Sequence, residues 1–235
     1  MNFPPLHELV RLSNIAYDPY TVAKRALLED PVLQGYEVWE YFDVEHAQGY
    51  LFGRASTPDR EGRASLSFRG TEASGGSLGD VASNAYFHAG PWYGPGRVHP
   101  GYLNQYDELR GPALLACSRV VSEMLLYVSG HSMGGAIAGI CAADIFGRGW
   151  KFAGLVAFGP PKSLDKEAMA TIRCPILRVH NRFDFAQWYP PSLSLTGLRP
   201  TVGVDSGGWV GSVTRHMPHK YIVGVDRYMK ERGYL

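Results

Sequence analysis

Cysteine is scarce in this chain, and the three residues present, Cys117, Cys141 and Cys174, form no C-x-x-C pair and no mixed Cys/His ligand spacing. An odd, scattered set excludes a disulfide framework and a structural zinc site, so the three are expected as small buried hydrophobes, two of them inside helices. An excess of charge of one sign is also missing: 23 Lys and Arg face 22 Asp and Glu, for a net charge of +1, and the two signs are interspersed. That excludes an extended basic face for nucleic acid or an anionic membrane. No run of about 20 apolar residues long enough to span a bilayer occurs. The opening Met1-Asn2-Phe3-Pro4-Pro5-Leu6-His7-Glu8 has neither the basic start nor the apolar run of about 7 to 15 residues that a secretion signal needs. The expectation is a protein that is cytoplasmic by default, or extracellular if released by another route, without metal or organic cofactor and in at most transient contact with lipid surfaces.

Apolar residues make up 45% of 235, enough for one well-buried core, and a single domain over 1–235 is expected. Leu6, Leu9, Val10, Leu12 and Ile15 recur at helical spacing and predict a first helix over 5–16. Residues 36–42 and 49–54 read as an antiparallel hairpin. Further strands are expected at 65–69, 125–129, 152–158 and 175–180, and helices at 103–123, 133–146, 164–172 and 218–231. Strands alternating with helices behind a hairpin argue an α/β fold with a mostly parallel central sheet.

The run from Leu125 to Gly139 carries the chemistry. An apolar strand, a serine bracketed by Gly130 and Gly134, and a helix rich in small residues make a nucleophile elbow, which lifts Ser132 out of the sheet to meet a base. The pattern G-x-S-x-G alone is weak, with roughly 0.2 chance matches in a chain of this composition. Ser77 also satisfies it, but Glu72-Ala73-Ser74 stands where a buried strand is required, so Ser77 reads as loop.

In a parallel sheet the functional groups gather at the carboxyl ends of the strands. Asp184 follows the strand at 175–180 and is the candidate acid. Its rival Asp165 stands at a helix start, where acids serve as caps. The order serine, acid, histidine leaves His216 and His219 as candidate bases; His216 is favoured because it precedes the closing helix. Their spacing could also suggest a metal pair, but no third ligand accompanies them. An oxyanion needs fixed N–H donors; Met133 supplies one from the elbow, and Thr71, after the strand ending near Phe68, supplies the second. The loop aromatics Phe87, Trp92, Tyr93, Trp188 and Tyr189 are candidates for lining the substrate site.

Several blocks taken together resemble the class 3, fungal-type lipase family of α/β-hydrolases. They are Phe68-Arg69-Gly70-Thr71, Val98-His99-Pro100-Gly101-Tyr102, Gly130 to Gly135, Phe158-Gly159-Pro160-Pro161, Asn181 to Asp184, and His216 with Tyr221. The segment from Leu9 to Tyr17 looks like that family's first helix. The resemblance implies an α/β-hydrolase fold with helices on both faces of the sheet, and hydrolysis of carboxylic esters, on acylglycerols or short-to-medium acyl chains. It implies Ser132, Asp184 and His216 as triad, Thr71 and Met133 as oxyanion donors, and His99 as a structural neighbour. Phospholipase, thioesterase or acyltransferase chemistry on the same fold, or a non-catalytic binding role, are the alternatives. One departure concerns the lid-like segment at 72–84: Asp80 and Asn84 match a family block, yet Val81 stands where that block has tryptophan. Only Leu78 and Val81 are sizeable apolar groups there. Two aliphatic side chains gain only a few kcal/mol at an oil surface, at about 25 cal/mol per Å², so weak interfacial activation is expected.

Overall fold

The computed structural model describes residues 5–71, 88–150, 152–208 and 211–235, with the backbone alone for Phe146 and Ser212. The segment at 72–84, Ser77 and Phe87 therefore lie outside the described residues.

Alternation of apolar residues builds the sheet. Strands β1 (Glu37–Asp43), β2 (Gln48–Arg54) and β3 (Arg63–Phe68) pair antiparallel in sequence order. A short hairpin of β4 (Gly90–Pro91) and β5 (Arg97–Val98) stands apart. Strands β6 (Leu125–His131), β7 (Gly154–Phe158), β8 (Ile176–Asn181) and β9 (Thr201–Val204) continue from β3 in parallel. The seven-stranded order is β1-β2-β3-β6-β7-β8-β9, the expected parallel sheet fronted by an antiparallel hairpin.

Successive side chains on a strand point to opposite faces, and the two faces collect different helices. Leu126, Val128, Leu155 and Ala157 face a core shared with helices α3 (Pro100–Ser118), α4 (Met133–Gly147) and α5 (Lys166–Thr171). Tyr127, Val156, Phe158, Leu177 and Val179 face α1 (Leu6–Ile15) and the closing α7 (Pro218–Glu231). On the hairpin, Tyr50 and Phe52 pack with Leu12, Ile15 and α2 (Tyr20–Glu29) through Ala23 and Leu27. A one-turn helix, α6 (Ser212–Arg215), precedes α7.

Several elements differ from expectation, among them the β4–β5 hairpin and α6, which lie outside the expected strands and helices. Helix α3 starts at Pro100 and ends at Ser118, with Pro112 inside it, and 119–124 is turn. His99 caps it by accepting from the Tyr102 amide, a start signal that a Ser/Thr/Asp/Asn rule overlooks. Helix α2 and strand β9 carried no sequence signal: α2 buries only Ala23 and Leu27, and β9 only Val204. The closing helix runs over the expected residues. Cys117 and Cys141 are buried in α3 and α4, and Cys174 is half-buried. Among the described residues no helix is long and apolar enough to cross a membrane.

Candidate active site

Ser132 occupies the single turn between β6 and α4, with φ of 55°, a left-handed conformation that costs a residue with a side chain about 1–3 kcal/mol. The surroundings hold it there. Its amide donates to the Phe158 carbonyl at 2.8 Å, and its own carbonyl accepts from the amides of Gly135 and Ala136 at 2.9 and 3.2 Å. The two bracketing glycines are required by close approach. A Cβ at Gly130 would overlap the Gly134 backbone, and one at Gly134 would overlap the Phe68 carbonyl. The elbow helix thus packs backbone to backbone against the end of β3, which brings the Thr71 loop alongside. The Thr71 hydroxyl reaches Met133 Sδ at 3.4 Å, so the two residues expected to hold an oxyanion are neighbours.

Asp184 comes from the end of β8. After Asn181 the chain turns through Arg182 and Phe183, whose φ is 65°, and Asp184 caps a short 3₁₀ helix by accepting from the Ala186 amide at 2.8 Å. Two guanidiniums approach the Phe183 ring, Arg182 at 4.8 Å and Arg215 at 5.5 Å from its centre. Asn181 ties this turn to the segment bearing His216: its side-chain amide donates to Ser206 Oγ and to the Arg215 carbonyl at 3.0 and 2.9 Å.

The three residues meet in one line. His216 Nε2 lies 2.7 Å from Ser132 Oγ, and His216 Nδ1 lies 2.8 Å from Asp184 Oδ2. All three are buried, and Asp184 is only 1% exposed. The Tyr221 hydroxyl donates to the same carboxylate while accepting the Asn181 amide at 3.1 Å. A carboxylate only accepts, so His216 Nδ1 carries the hydrogen it shares with Asp184, and Nε2 presents a lone pair to the Ser132 hydroxyl. Burial, with the Asp184 charge adding to it, pushes the Tyr221 phenol well above its ordinary range, so it stays a donor. Arg178 lies half-buried nearby, donating to the Pro160 and Gln187 carbonyls at 3.3 and 3.0 Å.

The remaining candidates are distributed as follows. His219 is exposed in the first turn of α7. Asp165 caps α5 through the Ala168 amide at 2.7 Å, as a helix-start acid should. His99 stacks on Tyr102 at 4.1 Å, and burial lowers its pKa to about 4. Trp92 and Tyr93 sit between β4 and β5; Trp92 donates to the Pro95 carbonyl, and Tyr93 lies under the Arg110 guanidinium at 3.9 Å. The Tyr93 contact runs to α3. Trp188 is 72% exposed at the end of the 3₁₀ helix. Tyr17 and His131, which adjoin the site, lie within segments the sequence singled out, Leu9 to Tyr17 and Gly130 to Gly135, but nothing in those segments assigned either side chain a role.

A sequence profile of the family described as lipase (class 3) matches residues 65–193, more than half of the chain. No curated protein matches significantly. Among solved structures, the triacylglyceride lipase of Rhizomucor miehei is similar with a TM-score of 0.70 and 18% identity, over 85% of this chain and 78% of that one. A lipase from Rhizopus microsporus var. chinensis gives 0.67 and 18%, over 88% and 75%. A triacylglycerol lipase whose catalytic centre is described as a serine protease triad gives 0.66 and 20%, over 86% and 79%. These likenesses identify an α/β-hydrolase fold.

Proposed function

The chain belongs to the class 3 lipase family, and from that premise we propose that this serine-dependent ester hydrolase works through Ser132 as nucleophile, His216 as base and Asp184 as its orienting acid. His216 Nε2 takes the Ser132 proton as Oγ attacks the ester carbonyl, and Asp184 stabilises the imidazolium that forms. The oxyanion is held by the amides of Thr71 and Met133. The imidazolium then protonates the departing alcohol, and a water molecule repeats the sequence on the acyl-enzyme to release the acid. No cofactor enters any step. The observation that carries this reading is the continuous line from Ser132 Oγ through both nitrogens of His216 to Asp184, with links of 2.7 and 2.8 Å.

The substrates proposed are acylglycerols or short-to-medium acyl esters, taken with little dependence on an interface because Leu78 and Val81 alone supply sizeable apolar groups in the segment after Thr71. The test is labelling by a fluorophosphonate probe together with turnover of a p-nitrophenyl ester series, beside phospholipid and acyl-thioester panels. Labelling and ester turnover that both vanish in Ser132→Ala are expected. A Ser132→Ala variant that still labels or turns over overturns the assignment, and faster turnover of phospholipid or thioester redirects the substrate class.

A further inference from the structure

The hydroxyl of Tyr17, two residues beyond α1, touches two strand ends at once. It lies 2.7 Å from His131 Nδ1 and packs directly against Gly70. The approach is close enough that a Cβ at Gly70 would overlap both this hydroxyl and the His131 carbonyl oxygen. Gly70 precedes Thr71, and His131 precedes Ser132. One oxygen therefore joins the residue before an oxyanion donor to the residue before the nucleophile.

Burial holds the Tyr17 phenol above its ordinary range, so it keeps its hydrogen and can donate it to His131 Nδ1. With that donation His131 is neutral and carries its hydrogen on Nε2. The ring packs against Tyr221 at 5.2 Å and against His216 at 4.9 Å. Burial first, and the neighbouring His216 second, lower its pKa far below the usual imidazole value.

Helix α1 is held where this bridge needs it. One helical turn before Tyr17, Ser13 Oγ bonds Ser129 Oγ at 3.2 Å, and Ser129 in turn bonds Ser65 and Ser67 at 3.1 and 2.8 Å. Those four buried hydroxyls register α1 against β3 and β6, the two strands whose ends carry Gly70 and His131.

We propose that Tyr17 is a positioning residue for the oxyanion site, its hydroxyl setting the distance between the Thr71 amide and Ser132 Oγ. This rests on the assignment of Thr71 and Ser132 above. Because the oxyanion forms only as the carbonyl becomes tetrahedral, losing the bridge weakens the transition state and leaves substrate binding alone.

The experiment compares wild type with Tyr17→Phe on p-nitrophenyl butyrate and on an alkyl trifluoromethyl ketone, which adds reversibly to the serine and places an oxyanion in the same position. Expected is a kcat lower by about ten- to a hundredfold with KM within about twofold, and a ketone Ki raised by the same factor as kcat falls. An unchanged kcat, or a lower kcat with an unchanged Ki, overturns the proposal. His131→Asn keeps an acceptor facing Tyr17 and should retain more activity than His131→Leu; equal losses count against it. Should the variants fail to fold, ¹H and ¹⁵N spectra of the wild-type protein decide: a hydrogen shared between Tyr17 and His131 Nδ1 and protected from exchange supports the bridge, and the lack of one overturns it. If Ser132→Ala stays active, the triad assignment itself falls; if it is dead while Tyr17→Phe is fully active, only the role of Tyr17 falls.

Discussion

Two oxygens of Asp184 serve an imidazole, a phenol and a backbone amide, with His216 Nδ1 at 2.8 Å and the Ala186 amide also at 2.8 Å. So many donors leave the carboxylate one orientation, and through it the imidazole has one orientation too. The choice between the two late histidines follows from that restraint. His216→Ala should lower kcat about 10³-fold or more, as removal of a triad member does, whereas exposed His219→Ala should stay within about twofold. Steady-state kinetics on a soluble ester checks both, and a large loss in His219→Ala with little in His216→Ala would reverse the assignment.

At the scale of elements, the elbow helix depends on the absence of a side chain where α4 passes the end of β3. Gly134→Ala puts a methyl into the Phe68 carbonyl, and overpacking of this kind typically costs about 1–3 kcal/mol. Because the displaced backbone carries Met133 and the Thr71 loop, kcat should fall with stability. Urea unfolding and kinetics on the same preparation check this, and wild-type values for both would show that the contact yields freely. Helix α1 is fastened to the sheet by a different device. Buried Glu8 accepts from the Tyr36 hydroxyl at 2.7 Å and pairs with Arg54, Arg60 and Arg63 at 3.1, 3.2 and 3.1 Å. Removing the charge leaves Arg54 buried without its carboxylate, so Glu8→Gln should destabilise by about 3–5 kcal/mol. A shift below about 1 kcal/mol in denaturant unfolding would refute that.

For the molecule as a whole, buried imidazoles set the response to acid. Burial lowers the pKa of His7, His99, His131 and His180 below the ordinary 6.5, in His99 to about 4. The unfolded chain then binds protons that the folded protein refuses, so stability is complete above pH 6.5 and declines as the pH falls below it. Glu8 acts in a lower window. Burial pushes its carboxyl up, but the Tyr36 hydroxyl and the Arg54 and Arg63 guanidiniums outweigh burial and hold it below 4.5. Its contribution is therefore present above pH 4.5 and lost as the pH drops through its folded value. Melting temperatures from pH 8 down to 4 should fall from about 6.5 onward; a flat curve would contradict the burial of these rings. A second whole-molecule property concerns lipid surfaces. The rate on a short-chain triglyceride should rise smoothly through its solubility limit, and a steep jump there would contradict the proposed indifference to an interface.

Local pattern alone was enough to determine the elbow, the hairpin, the alternation of the parallel strands and the closing helix, because each is written in residues a few positions apart. Ser132 between its glycines, Asp184 after a strand, and a histidine before the last helix were legible for the same reason. Which histidine reaches the serine, how Asp184 is held, and what Tyr17 and Glu8 touch were decided only by the tertiary structure. Those contacts join residues 84, 37, 114 and 46 positions apart, and neither propensity nor periodicity carries information over such separations. They exist because the packing of α1 and α7 on one face of the sheet brings distant side chains within hydrogen-bonding distance of the strand ends.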